Sequence, residues 1–199
     1  MSGSLRLEGK LGKIAERSLI DVCRLLDKYD IPYVLEGGTL LGIIREQRLL
    51  PWDNDVDITI LEKDYEKLIG LRVKFWFAGY KFRPKVLDNE LGPFPARTIK
   101  LIRVKTKKFY IASGIPIMDI FLKKKVGNDY FWVVGKPNPV LKSVPAEFYE
   151  KRTRFNWKGY DFQVPADYEG YLTVRYGDWK KTVKDYNFRK DDKAIVDLK

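Results

Sequence analysis

Apolar positions in the first third of the chain change period twice, and each change predicts an element. From Gly9 to Tyr29 they fall at Leu11, Ile14, Ala15, Val22, Leu25 and Leu26, the spacing of an amphipathic helix that Asp30-Ile31-Pro32 ends. Tyr33 to Leu35 is a short apolar run closed by Glu36-Gly37-Gly38, after which Thr39 can cap a helix through Leu40, Leu41, Ile43 and Ile44. From Asp53 to Ile60 acidic and apolar residues alternate with period two, as in a half-buried strand. Glu62 to Leu71 reads as helix, Phe75 to Phe82 and Thr98 to Lys105 as strands, and Val86 to Ala96 as a loop. Ile117 to Leu122 is a buried strand with Tyr130 to Val134 as its antiparallel neighbour. Phe155 to Phe162 alternates around a Lys158-Gly159 turn, predicting a hairpin, and a helix from Ala166 to Tyr176 stops at Gly177. The order predicts an α+β fold, a mixed β-sheet flanked by helices with a small C-terminal hairpin and helix. Residues 1–199 read as one domain, about 9–125 forming the core and about 126–199 a C-terminal extension.

Composition narrows the chemistry. The 199 residues are 45% hydrophobic and 14% aromatic, enough to bury a core, and no apolar run approaches the ~20 residues of a membrane span. Met1 to Lys10 has no apolar stretch of the secretory kind, so a cytoplasmic location is expected. The single cysteine, Cys23, lies on the apolar face of the opening helix and is expected to be buried. The chain contains no histidine, which excludes a Ser-His-Asp triad, a Cys-His dyad and a histidine-based metal centre. Chemistry must run on carboxylates, lysines, arginines, tyrosines and hard cations. A net charge of +11 predicts an anionic partner and allows peripheral membrane association through a basic surface. No basic-aromatic stripe accompanies it, so nucleic acid is not expected.

On an extended segment Asp53, Asp55 and Asp57 project to one face while Val56, Ile58 and Ile60 anchor the other. Three carboxylates in a row repel one another unless cations neutralise them, and oxygen-only ligation points to Mg²⁺ or Mn²⁺. Asp119 stands alone among Ile117, Met118, Ile120 and Phe121, a costly place for an unpaired charge, and is expected beside Asp55 and Asp57 on a neighbouring strand. These acids are the candidate metal ligands, with Asp119 also a candidate base toward an acceptor hydroxyl. Gly37, Gly38 and Thr39 at a strand-to-helix turn form a candidate phosphate cradle, with Arg45 one turn on. Lys100 and Arg103 lie an odd number of residues apart on one strand, so at most one faces the site, and Lys100 is taken as the candidate phosphate ligand.

Glu36 to Gly42, Arg45 and the run Leu50 to Ile58 together resemble the signature of the LicD family, which includes the fukutin-type enzymes. Val164 to Leu172 with Tyr176-Gly177-Asp178-Trp179 is similar to that family's C-terminal element. The resemblance implies a nucleotidyltransferase-type fold with Asp55 and Asp57 as the catalytic pair, Asp119 as third acid and Asp53 as auxiliary ligand. It implies transfer of phosphocholine or a phospho-polyol such as ribitol phosphate from a CDP-activated alcohol donor to a glycan acceptor, releasing CMP. The alternative on the same fold is a nucleotidyltransferase that uses an NTP on a protein, small molecule or nucleic acid.

Overall fold

A computed structural model describes residues 6–108, 112–183 and 186–197. Helix α1 (Gly9–Lys28) buries Ala15, Leu19, Val22, Cys23 and Leu26 along one stripe. It is followed by β1 (Val34–Leu35), α2 (Gly37–Glu46) and β2 (Val56–Leu61). A 3₁₀ turn at Glu62–Asp64 leads into two short helices, α3 (Tyr65–Gly70) and α4 (Arg72–Phe77), then β3 (Tyr80–Val86) and β4 (Ile99–Lys108). The long strand β5 (Ala112–Val126) continues to β6 (Asp129–Val134), β7 (Val140–Pro145) and the single turn α5 (Glu147–Glu150). A separate hairpin, β8 (Arg152–Trp157) and β9 (Tyr160–Pro165), precedes α6 (Tyr168–Tyr176).

The main sheet is mixed and runs β1-β2-β5-β4-β3, with β6 and β7 continuing from the far end of β5. Strands β2 and β5 are parallel, and every other pairing is antiparallel. The registers place Val56, Ile58 and Ile60 beside Met118, Ile120 and Leu122, and Ile102 and Val104 beyond them. All are buried, and α1 closes over this apolar face. Asp57 and Thr59, Asp119 and Phe121, and Arg103 occupy the opposite face. Asp57, Asp119, Phe121 and Arg103 of that face line a cleft. Among the described residues no helix is long and apolar enough to cross a membrane.

Four local expectations differ from the structure. The strand carrying the acids begins at Val56, so Asp53 and Asp55 sit in the turn before it. Residues 75–77 belong to α4 rather than to a strand: Phe75 points inward onto Phe82 with ring centroids 4.5 Å apart, and this docking overrides the β-propensity of Phe-Trp-Phe. Helix α2 starts at Gly37, which puts Thr39 inside its first turn instead of at the cap. Helix α6 starts at Tyr168 because Asp167 accepts the Gly170 N–H at 2.8 Å and caps it there. Strand β7 gave no clear sequence signal, since Lys142 interrupts its apolar pattern.

Candidate active site

The site is assembled where α2 begins against β2. Asp57 lies directly beside Asp119 across the parallel β2–β5 pair, so the lone acid of the apolar strand does meet the acidic strand. The Asp57 backbone N–H donates to the Thr39 hydroxyl at 2.8 Å, fixing the height of the strand against the helix. Glycine is required beside it: a Cβ on Gly38 would fall 2.0 Å from Asp53 Oδ2, and one on Gly37, at φ +56°, would fall 3.2 Å from Asp57 Oδ2. The glycine turn therefore receives the protein's own carboxylates, at the end of a helix that favours negative charge. Thr39 secures the strand rather than lining the cleft.

Burial pushes the Asp53 carboxyl up to about 6. Asp55 rises to about 7 through burial and the charge of Asp119, partly offset by Arg103. Asp57 is raised well above the usual carboxylate range by burial and then by Asp55 and Asp119. Arg103 grips Asp119 with both arms, Nε to Oδ1 at 2.8 Å and Nη2 to Oδ2 at 2.6 Å. The strand thus turns Arg103, not Lys100, toward the acids. The Lys100 ammonium donates to Gly135 O at 2.7 Å. Arg45 is also diverted: its guanidinium reaches Trp179 O at 3.1 Å, Lys181 O at 3.3 Å and Glu46, clamping the C-terminal segment.

These groups line a cleft of about 340 Å³ whose floor is Gly37, Gly38, Asp53, Asp55, Asp57 and Asp119. Its far wall includes Trp132, Arg175, Tyr176, Phe188 and Asp192. Behind that wall runs a buried ionic network. Glu36 receives Lys123 Nζ at 2.8 Å, the Thr59 hydroxyl at 2.7 Å, and hydrogen bonds from Tyr149, Tyr171 and Arg175. Arg175 also binds Asp192 at 2.6 Å, which Lys142 meets from the other side at 2.5 Å. Burial alone would raise the Glu36 carboxyl, but Lys123 and Arg175 outweigh it and hold it well below the usual range.

The three basic side chains in the cleft are thus already engaged: Arg103 by Asp119, Lys142 by Asp192, and Arg175 by Glu36 and Asp192. Asp53, Asp55 and Asp57 have no basic side chain in salt-bridge contact among the described residues. Such a set of oxygen donors suits a hard divalent cation. No three of them converge closely enough to hold an ion as they stand, among the described residues, and both Asp119 oxygens are held by Arg103.

Residues 30–167 match the family model described as LicD/FKTN/FKRP, nucleotidyltransferase domain. The chain belongs to this LicD family.

Among curated relatives of the LicD chain, the lipopolysaccharide cholinephosphotransferase LicD of Haemophilus influenzae is 24% identical over 191 residues, covering 79% of this chain and 70% of the relative. Human ribitol 5-phosphate transferase FKRP is 24% identical over 161 residues, covering 78% of this chain and 30% of the relative. The chain spans about half the length of the curated relatives it matches. A solved structure, the lincomycin-bound lincosamide antibiotic adenylyltransferase LnuA, aligns with a TM-score of 0.45 at 14% identity, over 79% of this chain and 84% of that one. The range matched by the family model ends just before α6, yet Arg175, Tyr176 and Asp192 complete the cleft wall. Neither this network nor the role of Arg103 was evident in the sequence. The buried Glu36, one residue before the glycines, was the available signal: a carboxylate at that point demands a partner.

Proposed function

We propose that the chain is a metal-dependent phosphotransferase that moves a phospho-alcohol, phosphocholine or a polyol phosphate such as ribitol phosphate, from a CDP-linked donor to a glycan hydroxyl, releasing CMP. The observation that carries this reading is the trio Asp53, Asp55 and Asp57: half-buried, mutually repelling and without a basic side chain in salt-bridge contact among the described residues, at the mouth of a glycine turn, with Asp57 beside Asp119. A site that spends stability on uncompensated negative charge is built for a cationic ligand. The cholinephosphotransferase and ribitol 5-phosphate transferase relatives support a phospho-alcohol as the transferred group.

In this reading Asp55 and Asp57, with Asp119 and Asp53 beside them, would hold Mg²⁺ or Mn²⁺. The ion would neutralise the donor phosphates and the departing CMP. Gly37 and Gly38 leave room at the start of α2 for the Asp53 and Asp57 carboxylates, two of the groups that would hold the ion. For Asp119 to take the proton of the attacking hydroxyl, as the new oxygen–phosphorus bond forms and the bond to CMP breaks, one of its oxygens must first leave Arg103. Of the aromatics lining the cleft, Tyr176 and Phe188 are exposed enough to offer a surface for the cytosine ring.

A thermal-shift series with Mn²⁺ or Mg²⁺ and CDP-choline, CDP-ribitol, CDP-glycerol, CTP and ATP tests this reading. Ligands that bind the native state raise the melting temperature. Metal-dependent stabilisation by a CDP-alcohol above CTP and ATP is expected. Stabilisation by an NTP above every CDP-alcohol would turn the reading to nucleotidyl transfer.

A further inference from the structure

Helix α4 exposes an apolar ridge. Val73, Trp76 and Phe77 lie at i, i+3 and i+4 and are 60%, 40% and 75% exposed, whereas Phe75 is fully buried and holds the helix to the sheet. The ridge borders a shallow depression of about 550 Å³ shared with Tyr80, Lys81 and Phe82 of β3. Trp76 is fixed in place, with the Lys107 ammonium 3.6 Å from its ring centroid and donating to its carbonyl at 2.8 Å.

Within α4, β3 and β4 the charged side chains are all basic, the Asp21 carboxylate that accepts from the Tyr80 hydroxyl at 3.0 Å lying on α1. From Lys67 to Leu87 the chain has six lysines and arginines and no aspartate or glutamate, and the same holds from Leu91 to Met118. The fold stacks these stretches side by side as β3 and β4, pairing Lys81 directly with Lys105, while Arg103 opposite Arg83 is already neutralised by Asp119. Like charges facing each other across strands oppose sheet formation. Protection of an exposed sheet edge accounts for lysines and a proline on β3. It does not account for Lys105 on β4, which has a neighbouring strand on both sides.

We propose that the α4–β3–β4 edge docks on an anionic lipid bilayer. Val73, Trp76 and Phe77 enter the headgroup boundary, and Arg72, Lys74 and Lys81 meet the lipid phosphates. A bilayer supplies both halves of the match, a fluid apolar layer for a three-residue ridge and a continuous negative surface for an edge without acids. The proposal involves neither the carboxylates nor the nucleotide, so it stands or falls independently of the proposed transfer reaction.

The test is co-sedimentation of the whole chain with vesicles of phosphatidylcholine alone and of phosphatidylcholine mixed with phosphatidylglycerol. Binding is expected to the mixed vesicles only and should weaken with added salt. The double substitution Val73→Ser with Phe77→Ser should weaken it by roughly tenfold or more, with the melting temperature as the control for folding. Lys74→Glu with Lys81→Glu should have a similar effect. Failure to bind mixed vesicles, or equal binding by the serine variant, would overturn the proposal. So would self-association, seen in the ultracentrifuge, that Phe77→Ser abolishes while vesicle binding persists, since that would assign the ridge to a second copy.

Discussion

Two groups of charged side chains, one buried and one half-buried, share one face of the sheet and one cleft, yet they are built on opposite terms. In the network around Glu36 every acid has a cation: Lys123 and Arg175 on Glu36, Arg175 and Lys142 on Asp192. Around Asp57 the acids accumulate, and the nearest cation, Arg103, is committed to Asp119. In the first group the carboxyls are held ionised, with Glu36 and Asp192 below their usual values. The second resists ionisation, with Asp53, Asp55 and Asp57 all raised. A buried charge that has been compensated belongs to the architecture, and one left uncompensated leaves room for a ligand.

The largest expected effect would break the comparison from the acidic side. Asp57→Asn removes a donor and relieves repulsion, so transfer should fall about 10³-fold or more while the melting temperature holds or rises. A variant that remains fully active and metal-responsive would remove Asp57 from the mechanism. From the other side, Glu36→Gln leaves Lys123 and Arg175 buried with too little negative charge and should cost about 3–5 kcal/mol in urea unfolding. A loss below about 1 kcal/mol would show that the network is not what secures the C-terminal segment.

The smallest effect is a difference in pH response. Burial would raise the Asp192 carboxyl, but Arg175 and Lys142 hold it at about 2 against an unfolded 3.8. A depressed carboxyl contributes stability above its unfolded value and loses it as pH falls through the folded one. Between about pH 4 and pH 2 this contribution, roughly 2 kcal/mol, should disappear, and Asp192→Asn should flatten that part of the unfolding profile. An acid limb that is unchanged in the variant would place the loss on other carboxylates.

What could be read in the sequence was what is local. The stripe of α1, the glycine turn and the alternation after Asp53 follow from neighbours along the chain, as does the oddity of Asp119 among apolar residues. What could not be read depends on register between distant strands. Parity established that Lys100 and Arg103 face opposite ways, but only the β4–β5 pairing shows that Arg103 meets Asp119. Arg45 reads as a phosphate ligand from its place after the turn, and the return of residues 179–181 beside α2 makes it a clamp. The basic residues read as scattered because they are far apart in sequence, and the β3–β4 pairing gathers them on one edge.

Glu36 occupies one further position of consequence. It is the residue from which α2 springs, and through it the tail, by way of Tyr171, Arg175 and Asp192, is bolted to the same peptide that presents the glycines. The shared family core and the segment after it are therefore two halves of a vise, tightened by a single screw. A change in the tail that never touches the acids can still alter the gap between the jaws.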